Sequence, residues 1–226
     1  MTRRPTARVT GSELRACTAL LCLAAGMPAA AQPGEGPALE LGVRTGITLA
    51  FGDDFRGLGI ASSSRYPSFV PIELDVGVRF PSGLVLGAYL QYGAGLGKTC
   101  ATGATCSSHL IRFGADALFH VRPRAPIDPW FGLGIGYDIA TLAQAPAGQP
   151  ETTTTLRGLE LFHVQGGVDF LAAPSLRIGP FLMLALGRYT VATASQGGVD
   201  FTADIQNQSL HELLTFGVRA AFEVIP

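Results

Sequence analysis

The chain has 226 residues, 47% of them hydrophobic and only 15% charged, with 29 glycines and a formal net charge of -1 at pH 7. That length fits one domain. A single lysine, Lys98, and no run of like charges exclude a basic nucleic-acid surface and an acidic tail.

Residues 1–31 read as an export signal. Arg3, Arg4, Arg8 and Arg15 lead into the apolar run 16–25, and Ala29-Ala30-Ala31 supplies a cleavage site before Gln32. The run is too short for a membrane helix, which takes ~20 residues. Cleavage removes four arginines and one glutamate, leaving 12 basic and 16 acidic residues and a net charge of -4. A short lead, 32–37, precedes the domain at 38–226. Cys100 and Cys106 then remain, close together in "CATGATC", and export predicts a disulfide between them.

Beyond the signal the dominant pattern is strict alternation of apolar and polar residues, the mark of half-buried strands. Eight such segments follow one another: 39–52, 69–80, 84–93, 109–122, 129–142, 159–171, 176–189 and 211–224. Their links alternate in length. "PSG", "PRAPID" and "AAPS" are short, whereas 53–68, 94–108, 143–158 and 190–210 are long and rich in Ser, Thr, Gly, Gln and Asp. In an up-and-down sheet this puts the short turns at one end and the long loops at the other.

Two barrels satisfy alternation: a soluble one with its apolar row inside, and a membrane one with that row outside. Four features favour the second. Strand glycines (Gly42, Gly46, Gly77, Gly87, Gly114, Gly132, Gly134, Gly136, Gly167, Gly217) fall on the charged row, where they make room for large groups in a narrow interior. The apolar row is uninterrupted, as in Ile72, Leu74, Val76, Val78, Phe80. Aromatic residues sort to both strand ends: Phe80, Phe119, Phe131, Phe170 and Phe222 at the short-turn end, Phe51, Tyr92, Tyr137 and Phe162 at the long-loop end. Each segment also reaches the 9–11 tilted residues that cross the hydrocarbon.

The inward row then carries a charge network: Glu40, Arg44, Glu73, Asp75, Arg79, Arg112, Asp116, His120, Arg122, Asp138, Asp169, Arg219 and Glu223. Both signs are present, so the interior reads as interlocked ion pairs, since an unpaired buried ion is costly. His163 joins the same interior. Segment 176–189 leaves its faces open, because Phe181 and Met183 alternate with Leu182 and Leu184.

On these residues the chain resembles the small eight-stranded outer-membrane barrels of the OmpA/OmpX/OmpW type, over about 38–226. The resemblance implies an all-β, eight-stranded antiparallel up-and-down transmembrane β-barrel in a bacterial outer membrane, with both termini in the periplasm. The chain ends "FEVIP", with Phe222 four residues in, where that family often ends on an aromatic residue.

Motifs for chemistry are weak. "YGAGLGKT" (92–99) has Tyr92 where a phosphate loop needs glycine, and no helix follows. Ser209, His211 and Glu212 could assemble a hydrolase site near the long loops. The favoured reading is a non-enzymatic structural or surface-interaction protein, without cofactor or metal. It is a monomer in outer-membrane lipid, with an extracellular partner at the four long loops. A narrow channel for small or apolar solutes, a lipid hydrolase and a secreted ligand-binding barrel are the alternatives.

Overall fold

The computed structural model describes residues 36–52, 68–96, 104–148, 150–205 and 210–224. The predicted signal, most of the first long loop, Cys100 and Ser209 lie outside them. Nine strands appear: β1 (Ala38–Gly52), β2 (Ser68–Arg79), β3 (Leu84–Leu96), β4 (Ala104–His120), β5 (Ile127–Pro146), β6 (Thr152–Ala173), β7 (Leu176–Gln196), β8 (Val199–Asp204) and β9 (His211–Val224).

Every pairing is antiparallel. Eight strands close a ring in the order β1-β2-β3-β4-β5-β6-β7-β9, sealed by β1 against β9 from Leu39↔Val224 to Gly52↔His211. Closure leaves no free edge along the barrel wall. β8 stands outside the ring and pairs only with the far end of β7.

The strands outrun the predicted segments at the long-loop end. Residues 143–146 and 152–158 belong to β5 and β6, so that link shrinks to 147–151, no longer than the 121–126 turn. Residues 190–196 extend β7, and Gly197 and Gly198, with φ of 59° and 83°, turn the chain into β8. The long loops 94–108, 143–158 and 190–210 are thus largely strand. The physical reason is that period two marks one wet and one dry face. Where both faces are wet, the strand persists without its signature. Thr152–Thr155, β-branched and suited to strands, pair with 141–144 on one side and 193–196 on the other.

The two rows separate cleanly across the wall. Leu74, Phe131, Leu133, Ile135 and Leu182 on the outer face are 54–62% exposed, whereas Arg44, Arg112, Asp138 and Arg219 are at most 1% exposed. Of the nine girdle residues, Tyr92, Phe131, Phe162, Phe170 and Phe222 are exposed, and Phe51, Phe80, Phe119 and Tyr137 are half-buried. In β7 the odd residues Arg177, Phe181, Met183, Ala185 and Tyr189 face inward.

Candidate functional site: the barrel interior

Along β4 the inward residues run Leu110, Arg112, Gly114, Asp116, Leu118, His120, and they set out the interior as alternating apolar and charged layers. Nearest the long-loop end, Leu110, Phe69, Leu156, Tyr189 and Leu213 form an apolar cap with Ala50, Ala140 and Ala185.

Arg112 lies below this cap. Its Nη2 donates to Glu160 Oε2 at 2.5 Å, its Nε to Asp138 Oδ1 at 3.2 Å, and its Nη1 to Gln91 Oε1 at 2.7 Å. Tyr89 donates its hydroxyl to Glu160 at 3.0 Å, and His163 Nδ1 bonds the other Glu160 oxygen. His211 Nε2 donates to Asp138 at 3.2 Å while its ring stacks on Tyr189.

The middle layer centres on Arg44. Its Nε donates to Asp75 at 2.9 Å, and its Nη1 bonds Gln165 and lies 3.3 Å from Glu73. Asp116, 3.7 Å from Arg44 Nη2, also accepts from Gln165 Nε2 at 3.0 Å.

A second apolar layer, Val85, Leu118, Trp130, Phe181 and Met183, underlies it. Trp130 has the Arg44 guanidinium 5.6 Å from its ring centroid and that of Arg219 at 4.9 Å. Cations beside an indole face are favourable, more so away from water. Arg219 donates to Asp169 at 2.7 Å and bonds Glu40; Arg79 donates to Glu40 at 2.6 Å and to His120 at 3.3 Å; His120 donates to Asp128 at 2.8 Å. Trp130 Nε1 donates to Asp169 at 3.0 Å. At the short-turn end Arg177 donates to the carbonyls of Ala125 and Pro123, at 3.1 and 2.7 Å, and ties the 121–126 turn to the barrel.

Glycine gives these groups their space. A Cβ on Gly134 would sit 2.5 Å from the His163 ring, and one on Gly167 2.9 Å from Trp130. One on Gly136 would overlap the Tyr89 hydroxyl.

Of the residues expected inside, Glu40, Arg44, Glu73, Arg79, Arg112, Asp116, His120, Asp138, Asp169 and Arg219 are buried there, and Asp75 nearly so. Glu223 is at the margin, its side chain 38% exposed and 3.9 Å from Arg79. Arg122 differs. β4 ends at His120, so Arg122 lies in the exposed turn, where its backbone N–H donates to Asp128. Period two does not reveal where a strand stops.

Glu160 was missed. Its inward position depends on a bulge in β6: Gly134 pairs with His163 and Gly136 with Glu160, so Leu161 and Phe162 together oppose Ile135. Both are exposed, and the bulge turns Glu160 and His163 inward despite their odd spacing. The signal was two adjacent apolar residues between two ionisable ones. Asp128 was missed as a turn residue, and Arg177 because its strand had no readable face.

The hydrolase arrangement does not form among the described residues. His211 points inward onto Asp138, whereas Glu212 is exposed on the opposite face of β9. A water-filled pore would leave its lining accessible, yet Leu110, Arg112, Asp116, Leu118 and His120 are each at most 9% exposed. The described interior is packed shut.

Neisserial surface protein A superposes on this barrel with a TM-score of 0.53 at 13% identity, over 84% of this chain and 100% of its own. A major outer membrane protein from Thermus thermophilus does so with a TM-score of 0.57 at 11% identity, over 83% and 99%. The chain has the fold of the small eight-stranded outer-membrane barrels. No family model matches it, and no curated protein does. Identities this low carry the eight-stranded outer-membrane barrel architecture and nothing of the activity.

Proposed function

We propose that this protein is a monomeric outer-membrane barrel with a sealed lumen. It is exported by its 1–31 signal, spans the membrane with both strand termini on the periplasmic side, and serves as a rigid, non-enzymatic anchor for structure beyond the outer surface. The observation that carries the reading is the pairing of an apolar outer face with an interior of paired, buried charge. Polar groups buried in hydrocarbon must be satisfied within the protein, and a closed barrel does so. The wall at the long-loop end rises past the apolar belt as β4–β8, presenting Thr-rich strands and the 147–151 and 197–198 tips to a surface partner. The Cys100–Cys106 disulfide would close the β3–β4 loop beside this wall.

Cell fractionation with gel mobility tests the reading. The expected outcome is outer-membrane recovery and a folded band that shifts on boiling. Recovery in the soluble periplasm would sink it.

A further inference from the structure

Counted from the short-turn end, the outward residues of β4, β5, β6, β7 and β9 are apolar up to a first polar position. On β9 the row runs from Val224 through Leu214 and then meets Glu212; on β7, from Leu176 through Leu186 and then Arg188; on β6, from Phe170 through Leu159 and then Arg157; on β5, from Pro129 through Ile139 and then Thr141; on β4, from Phe119 through Ile111 and then His109. Five or six alternate positions on strands tilted by ~40° cover about 25 Å, the height of an outward apolar band. Glu212, Arg188, Arg157, Thr141 and His109 therefore mark the outer rim of that band.

The two arginines stand on adjacent strands. Leu159 pairs with Arg188, which makes Arg157 its diagonal neighbour, roughly 7–8 Å away. Both are exposed, and neither makes an ion pair with a described residue. Two carboxylates lie on the same side of the wall: Glu212, which pairs with Leu186 and so stands diagonal to Arg188, and Asp204, which pairs with Val191. Neither is in ion-pair contact with the arginines. The ladder is also irregular here. Arg157 pairs with Val191 and Gly158 with Tyr189, so Thr190 is an extra residue in β7, and its hydroxyl donates to the Arg157 carbonyl at 3.4 Å. Bulges re-aim side chains and gather next to functional sites. Thr141 and Thr155 add a pair of hydroxyls 3.4 Å apart beside them.

We propose that Arg157 and Arg188, with the Thr141/Thr155 hydroxyls, form a binding site for the phosphorylated headgroup of an outer-leaflet glycolipid. An arginine on the lipid face is unfavourable toward the midplane and nearly neutral at the interface. Two like charges side by side are relieved when an anion bridges them. The guanidinium fork matches phosphate oxygens bidentately, with charge on both partners. The glycolipid's chains would lie on the apolar wall of Leu159, Phe162, Leu184 and Leu186 directly below. This site rests on the membrane reading above.

The test uses the full mature barrel in phosphatidylcholine nanodiscs doped with a bis-phosphorylated lipid A or with its dephosphorylated form. Native mass spectrometry counts retained glycolipid. The expected result is retention of the phosphorylated form alone, about tenfold weaker in the Arg157→Gln/Arg188→Gln double variant and intermediate in the Arg157→Lys/Arg188→Lys variant, which keeps the charge and loses the fork. Equal retention by the Gln variant, or no preference for phosphate, overturns the site. Boiling-dependent gel mobility of each protein separates the two ideas. A folded, inserted barrel that ignores phosphate refutes only the site, whereas failure of the unmodified protein to insert refutes the membrane reading with it.

Discussion

Arg112 is fully buried, with Glu160 at 2.5 Å and Asp138 at 3.2 Å as its carboxylate partners. Glu160 serves three groups at once, since Tyr89 and His163 also bond to it. Its removal leaves a buried guanidinium short of charge and two polar groups without their partner. Breaking such a pair costs about 3–5 kcal/mol, more than the pair contributes relative to apolar replacements. Glu160→Ala is accordingly expected to lower unfolding stability in urea by that order. Glu223→Ala removes a 3.9 Å contact from a partly exposed side chain and should change stability by about 1 kcal/mol or less. Comparable losses for the two would refute the layered network. Most of this network was legible in the sequence because charge on an alternating strand has one place to go. Glu160 and Arg122 were not, and for different reasons: one needs a bulge to face inward, the other needs β4 to run two residues longer than it does.

The strand that holds Glu160 shows what a single residue does to an element. In a regular strand Glu160 and His163, three residues apart, would fall on opposite faces, because side chains alternate with a period of two; the extra residue in the pair Leu161 and Phe162 is what brings both inward. Deleting Phe162 should leave Leu161 alone opposite Ile135 and keep Glu160 and His163 on the inner face, whereas deleting Val164 should force either His163 or the Gln165 and Asp169 row toward lipid. The expected outcome is a heat-shifted folded band for the Phe162 deletion and its loss for the Val164 deletion. Equal loss in both would mean the bulge does not set the register. Strand cores were readable from alternation, and so was the glycine row. Strand ends at the long-loop side were not, because above the apolar belt both faces meet water and hydrophobic period carries no information. β8 belongs to the same class: Val199–Asp204 alternates weakly and is held only by the end of β7.

On the scale of the whole molecule, closure of the interior is a property of layers in series. The apolar cap around Leu110 and Leu213, the Arg112 layer, the Arg44 layer and the layer around Trp130 and Phe181 follow one another along the described interior. On the sealed-lumen reading an ion must cross all of them, so opening one leaves the barrier of the others. Removing Arg112 and Glu160 together as alanines empties their layer and leaves the buried Asp138 without its arginine. It should nevertheless give no conductance in planar bilayers, because the cap above and the Arg44 layer below stay filled. Adding Leu110→Gly and Leu213→Gly should still leave the bilayer silent. Conductance is expected only when Trp130 and Arg44 are also cut back, at the expense of stability. Channel activity in the unaltered protein, or after the first pair of substitutions alone, would show that the interior opens as a unit and would refute a barrel sealed layer by layer.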